Sequence, residues 1–486
     1  MKSAPAKNGG FFQSAQPTYN PAQHLPVRWE KGENVVLEVT RPLVRYLVQS
    51  RYEDLPESVR HEGVRAFHNS LGCMLGGCQE TLIERALATL EEFSGPPQAT
   101  VIGLGRRVDA PTAAMLNTMS NFVHSYNDTH LATVAHPAGA PTAGLLALAE
   151  TRKASGQEVV HALVLGIEVA CRMANVIAAP PAQCHVGLST HGVTNVIGTA
   201  VAAAKLMGLS EDQMVWAIGL AVTQAAGIRS SQGSMGSKII GGQAARSGLM
   251  SAYLAAKGFT NSEQPIEGPK GYAAVLANPS NPAAAIDRLG SHFEILNLSY
   301  KPYPSGIVNH PGADACIRLA NDNQLDPATV ESVHLRVHPL TVHLCNRQQP
   351  KDRDECLVSA QHWAAVALIY RRAGLREATE QCATDPAVAA LRARITLEAD
   401  DNMPAEATTV TVTLKDGRTL RHHLAQCIGS LGRPMTDADL DEKFRGQASM
   451  VLPPAQVEAL RAQCWDIAKA PDVGALVRRF FLPGAA

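Results

Sequence analysis

From about residue 36 to residue 290, apolar positions recur at a spacing near 3.6, the pattern of helices packed on one another. In the segment that begins PESVRHEGVRAFHNSLGCML, Val59, Val64, Phe67, Leu71 and Met74 fall roughly on one face. Ser210, with Gln213 three positions on, forms a capping box ahead of MVWAIGLAVTQAAG. Gly208 is placed to stop the alanine-rich helix NVIGTAVAAAKLMGL. The piece ATVIGLG is β-prone, but it lacks the third glycine and the βαβ context of a dinucleotide fingerprint. The most apolar window, VVHALVLGIEVACRMANVIAA, is interrupted by Glu168 and Arg172 and reads as a buried helix, not a membrane span.

Near residue 293 the period shifts from 3.6 toward 2. FEILNLSYKPYPSG is β-prone, and ESVHLRVHPLTVHL and TTVTVTLKDGRTLRHHL alternate apolar with polar. In the last of these, Val410, Val412 and Leu414 face one way and Thr409, Thr411 and Thr413 the other, with Asp416-Gly417 as a hairpin turn. Helical stretches near 356–373 and 385–393 lie between the strands. Residues 293–428 thus read as an α+β unit. The chain after it returns to helix and is expected to rejoin the first helical segment. Residues 1–34 are rich in Gly, Pro, Ser and Gln, lack an apolar signal region, and read as a flexible extension.

At 486 residues the chain exceeds what one hydrophobic core usually serves, so two domains are expected. Its 43 basic and 44 acidic residues leave a net charge of -1, which speaks against nucleic acid as a partner but not against a local basic pocket. Ten cysteines lie at irregular spacing with no C-x-x-C pair, which excludes a zinc ribbon or thioredoxin motif and fits reduced, buried thiols in a cytoplasmic protein.

The chemistry-bearing stretches are few. HSYNDTHLATVAHPAG carries His124, His130 and His136 six residues apart, a spacing that one helical face cannot hold. Pro137 disfavours helix at its predecessor, so at least the second half is loop. A loop histidine can serve as general acid or base near neutral pH. Alternatively, Asn127, Asp128 and Thr129 simply cap the next helix. STHGVTN (189–195) opens a helix whose free N–H groups suit a carboxylate ligand, or are merely capped. GSMGSKIIGGQAARSG offers Lys238 and Arg246 in a Gly/Ser-rich context, as anion ligands or as solvated charges. YKPYPSGIVNHPG sets Lys301, Tyr303 and His310 on a turn between strand and helix. No Ser-His-Asp order, Walker loop or H-E-x-x-H occurs, so no hydrolase triad, NTPase or zincin is inferred.

Taken in order, HSYNDTHLATVAHPAG, STHGVTNVIGTAVAAAKLMGL, KIIGGQAARSG, YKPYPSGIVNHPGADA and DEKFRGQA resemble the MmgE/PrpD family over about residues 36–484. That family includes 2-methylcitrate dehydratases, cis-aconitate decarboxylases and an iminodisuccinate epimerase. The resemblance implies a mostly α fold. An all-helical domain, residues 35–292 and 429–486, would carry an inserted α+β lid at 293–428. It also implies a homodimer that needs no metal or other cofactor and binds small di- or tricarboxylates between its domains. The shared chemistry is proton transfer at a carbon next to a carboxylate. Loss of water, loss of carbon dioxide or re-protonation on the other face can follow.

Residue by residue, His136 matches the family's HP histidine and is the expected base or acid. Asp128 and Thr129 match its DDT element and are expected to orient that histidine or hold substrate. Lys301 matches the lysine of KPYP as a carboxylate ligand, with Tyr303 beside it, and His310 matches the following histidine in a structural role. The chain departs from the family pattern elsewhere. D-x-D-D-T reads Ser125, Tyr126, Asn127, Asp128, Thr129, two carboxylates fewer. The histidine of G-x-H-P-T falls near Ser189, with His191 two residues on. A lysine and a histidine three residues later become Ser237 and Ile240, with Lys238 displaced by one. A tyrosine of decarboxylase relatives aligns with His362. Three functions are therefore in play: a lyase using His136 with Lys301; an isomerase or epimerase pairing His136 with His191 or His362; and a non-catalytic metabolite-binding relative.

Overall fold

The computed structural model describes residues 37–232 and 234–481, so the expected extension at 1–34 lies outside the described residues. The first half is α1 (Thr40–Gln49), α2 (Glu57–Gly77), α3 (Thr81–Glu91), α4 (Ala110–Phe122), α5 (Gly139–Thr151), α6 (Gly156–Ala178), α7 (Thr190–Met207), α8 (Glu211–Thr223), α9 (Ile239–Ala256) and the short α10 (Tyr272–Leu276). The Ser210–Gln213 capping box starts α8, and Gly208, in the left-handed region at φ 67°, ends α7. Small residues let these helices approach closely. A Cβ added to Gly166 or Gly198 would meet the other's backbone oxygen at 2.7 or 2.6 Å, so α6 and α7 cross with almost no side chain between them.

Helix α6 is long and apolar enough to cross a membrane, yet it is the buried centre of this body. Its two charges compensate each other. Arg172 Nε donates to Glu168 at 2.7 Å, and the guanidinium also donates to the carbonyls of Asp287 and His292 at 2.7 and 2.8 Å. The second Glu168 oxygen accepts from the Ile295 N–H at 3.1 Å. All three guanidinium nitrogens and both carboxylate oxygens are engaged, as a buried ion pair requires.

Four short strands lie in this half of the chain or against it: β1 (Ala99–Val101) with β2 (Arg106–Val108), and β3 (Asp128–His130) with β4 (Leu298–Tyr300), both pairs antiparallel. The second pairing corrects the expected boundary at 293. Phe293, Ile295 and Leu298 belong to the core of the helical body. The second core starts only at Tyr303.

That second core belongs to an α+β unit. It holds α11 (His310–Asp322), β5 (Val330–Val337), α12 (Pro339–Cys345), α13 (Arg353–Cys356), α14 (Ala360–Tyr370), α15 (Glu380–Thr384), α16 (Pro386–Arg392), β6 (Ile395–Ala399), β7 (Thr408–Leu414) and β8 (Thr419–Leu424). The sheet order is β6-β5-β7-β8, with β5 and β6 parallel and the other pairs antiparallel. Val410, Val412 and Leu414 are buried, with β7 beneath α11, and Gly417 at φ 85° makes the β7–β8 turn. The alternation read through 331–344 ends early. Pro339 starts a helix there, because its ring suits a first helical position and His338 Nδ1 accepts from the Leu340 N–H at 3.1 Å.

The chain then returns. Helices α17 (Asp437–Ala448) and α18 (Pro454–Trp465) pack on α2, and α19 (Val473–Phe481) packs on α5. All ten cysteines are free thiols, nine of them buried.

Candidate active site

Three residues past the end of α4, Ser125 is held in the left-handed region at φ 50°. The chain then runs along β4 as β3 and turns back, with the His130 N–H donating to the Ala135 carbonyl at 2.8 Å. This hairpin-like excursion is a strand where a capping turn was the alternative. It returns His136 to the residues it left. His136 Nδ1 lies 2.7 Å from the Asp128 carbonyl oxygen and 3.2 Å from Thr129 Oγ1. A carbonyl can only accept, so Nδ1 carries the hydrogen and Nε2 carries the lone pair. Asn195 of α7 donates to the His136 carbonyl at 2.8 Å and holds the loop from the other side.

Asp128 also serves the capping role. Its Oδ2 accepts from the Ala138 N–H at 2.9 Å, at the start of α5. Burial pushes its carboxyl up to about 6, against that bond and the nearby Lys301 and Lys443. Asn127, where a second carboxylate is absent, is buried and neutral, and its carbonyl accepts from the Lys301 N–H at 3.3 Å.

The first residues of α7 supply a second imidazole. The His191 and His136 rings lie 5.3 Å apart at 40°, and both pack against Phe122, at 5.3 and 6.0 Å. The Ser189 hydroxyl, at the helix N-cap, lies 3.1 Å from His191 Nε2. His191, two residues after Ser189, thus lies against His136. Burial drives His191 down to about 3, with Arg229, Lys301 and Lys238 adding to it. His136 is likewise held well below its usual range, first by burial and then by Lys301 and His191. Both rings are therefore neutral at neutral pH, the form in which an imidazole accepts a proton.

Cations surround this pair. Lys301, directly after β4, is buried, and its amine is pushed down to about 8 by burial, with Lys238 and Lys443 acting the same way and Asp128 opposing. Lys238 closes a short 3-10 turn before α9, and burial lowers its amine against the pull of Asp354 from α13. Arg229 follows Gly227 in a loop that pairs with 187–189. Among the described residues, none of these three side chains forms an ion pair or a side-chain hydrogen bond. Lys443 of α17 sits behind them, donating to the carbonyls of Tyr126 and Lys301 at 2.6 and 2.9 Å. Sequence reasoning missed Arg229, Phe122 and Lys443. A cation in the Gly/Ser-rich GIRSSQGS was the one signal for Arg229; a phenylalanine inside an apolar helix gives none.

Other expected site residues lie elsewhere. His362 is buried in α14, where its Nε2 donates to the Glu377 carbonyl at 2.7 Å and its ring meets Trp363 edge-on. Its neighbours are those of the α+β core, and among the described residues it has no hydrogen bond or ring contact with His136 or His191. Tyr303 turns away too: it lines a cavity of about 700 Å³ with Tyr126, Lys443 and residues 371–377, and none of His136, His191, Lys301 or Lys238 reaches that lining. His310 packs edge-on against Tyr303 at 5.6 Å. Of the three evenly spaced histidines, His124 lies 3.0 Å from the Gly76 carbonyl oxygen, while His130 contacts Thr133 and Glu294, so only His136 meets His191. Among the described residues, no three His, Cys, Asp or Glu side chains converge as metal ligands.

Comparison with known proteins agrees with this layout. Residues 41–285 match the family model of the MmgE/PrpD N-terminal domain, and residues 303–467 match that of the MmgE/PrpD C-terminal domain. The gap between the two matches coincides with β4 and the start of the second core. Among curated proteins, cis-aconitate decarboxylases of Mus musculus and Homo sapiens are each 28% identical, covering 84% of this chain and 86% and 87% of their own. A 2-methylcitrate dehydratase of Cupriavidus necator is 26% identical, covering 82% of this chain and 88% of its own.

Proposed function

This chain belongs to the MmgE/PrpD family, and on that footing we propose that it is a lyase, a dehydratase or decarboxylase, acting on a small di- or tricarboxylate. The relatives named as cis-aconitate decarboxylase and 2-methylcitrate dehydratase support a lyase of this substrate class. In this reading Lys301 and Lys238 hold carboxylates. They also stabilise the charge that develops when a proton leaves the neighbouring carbon. His136 Nε2 takes or delivers that proton, since Nδ1 is committed to Asp128. His191, steadied by Ser189, passes a proton to or from the departing or arriving group. Thr129 and Asp128 orient His136.

The observation that carries the reading is the neutral pair His136–His191 set among cations that form no ion pair within the described residues. A lyase is preferred to an epimerase because the relatives above are named as a decarboxylase and a dehydratase.

A homodimer belongs to the same reading. Val186, Ile228, Met235 and Ile239 are exposed apolar side chains near the cleft, and light scattering of the purified chain would measure the assembly.

The test is proton NMR of the full chain in deuterated water with citrate, 2-methylcitrate, cis-aconitate and malate, beside His136→Ala. The expected result is a new alkene, or loss of carboxylate, in one compound with the wild type only. Deuterium exchange and inversion without bond cleavage would replace the lyase with the epimerase.

A further inference from the structure

The loop at 227–229 is fastened to the residues that lead into α7. The Ser189 N–H donates to the Gly227 carbonyl at 3.0 Å, the Arg229 N–H donates to the Gly187 carbonyl at 2.8 Å, and Leu188 bridges Ile228 antiparallel between them. Gly227 adopts φ 147°, and a Cβ there would come within 2.9 Å of Ile240 and 3.1 Å of Ser189 Cβ, so glycine permits the close approach. Neighbours in an extended pair point to opposite sides. Ile228 points out, 68% exposed, which turns Arg229 toward the α7 N-terminus, where Ser189 and His191 stand.

The charge of Arg229 is felt there. It is the largest charge acting on His191, and it also bears on His136. Among the described residues the guanidinium has no carboxylate partner, although an arginine fork is built for one. Together with Lys301 and Lys238 it makes three cations around the imidazole pair that form no ion pair within the described residues. Among the described residues, the buried carboxylate that bears on Lys301 is Asp128, already engaged by Ala138.

We propose that Arg229 is a substrate-binding, specificity-determining residue that takes a third carboxylate of the substrate, so that this cleft prefers a tricarboxylate to a dicarboxylate. The proposal rests on the carboxylate-lyase reading above and adds the residue that discriminates. A dicarboxylate satisfies Lys301 and Lys238 and leaves the guanidinium unpaired, whereas a tricarboxylate closes all three pairs. Tricarboxylate binding is therefore charge-matched, and the fork supplies direction as well as charge.

The test is titration calorimetry of the full chain with citrate and with malate, using wild type, Arg229→Gln and Arg229→Lys, with turnover followed in parallel. Arg229 forms no side-chain bond within the described residues, so the variants should melt with the wild type. Wild type is expected to bind citrate more tightly than malate. Arg229→Gln should lose about ten- to hundredfold in citrate affinity while malate is unchanged, as for removal of one charged hydrogen-bonded pair. Arg229→Lys should recover part of the loss. An equal loss for both ligands, unchanged citrate affinity in Arg229→Gln, or no citrate binding by wild type would each overturn the assignment. Citrate discrimination without turnover of any carboxylate would uphold Arg229 and remove the lyase reading, so the two failures are separable.

Discussion

His136 Nδ1 stands 2.7 Å from the carbonyl oxygen of Asp128, eight residues earlier in the chain. This bond selects the tautomer and commits one nitrogen to the backbone, leaving Nε2 as the nitrogen that can exchange a proton with substrate. The strand pairing that exposes this carbonyl to His136 is the same pairing that brings Lys301 to the site.

On the proposed lyase reading, removing the imidazole removes the base and leaves the scaffold. His136→Ala is expected to lower kcat by about 10²–10⁴, the usual contribution of a positioned acid–base group. KM should change little, because the cations persist. Steady-state kinetics with whichever carboxylate the NMR panel identifies would check this. A kcat equal to wild type would move the base to His191.

Lys301 sets an alkaline limit. Burial, Lys238 and Lys443 lower its amine to about 8, so it is charged below that pH and loses its charge as pH rises through it. Substrate affinity should be full at pH 7 and fall above about 8, with KM rising and kcat less affected. In Lys301→Arg the guanidinium stays charged, and the alkaline rise in KM should disappear. A pH profile of KM that is identical in the two proteins would assign the limit to another group.

Glu168 and Arg172 bear on stability, not chemistry. Arg172→Met strands a buried carboxylate and is expected to destabilise the fold by about 3–5 kcal/mol. The double variant Glu168→Leu with Arg172→Met should recover much of that loss, because no lone charge remains. Urea unfolding of the three proteins measures both quantities. A double variant as unstable as the single one would mean that the carbonyls of Asp287 and His292 need the guanidinium more than the carboxylate does.

His362 separates alignment from geometry. Its Nε2 is spent on the Glu377 carbonyl inside the α+β core, so His362→Gln should leave kcat/KM at the wild-type value while lowering the melting temperature. A selective loss of kcat with unchanged melting would return His362 to the active site.

Local pattern determined much of this protein. The helical repeat, the Ser210 capping box, the Gly208 stop, the β7–β8 hairpin and the ordered motifs all depend on residues close in sequence, whose preferences are set by backbone geometry and burial periodicity. His136, Asp128, Thr129 and Lys301 were legible for the same reason: each lies in a short motif. What tertiary structure alone decided are the meetings of distant segments. Asp128 at a helix start and beside β4, His191 against His136 through Phe122, Lys443 from the far end of the chain, and Arg229 beside the bridge of Ile228 to Leu188 arise from packing between distant segments, which no local spacing encodes. The same packing took His362 and Tyr303 away from the imidazole pair. A side chain's place along the strand or helix says which face it shares, and only the partner laid against that face says whether it meets a core or a substrate.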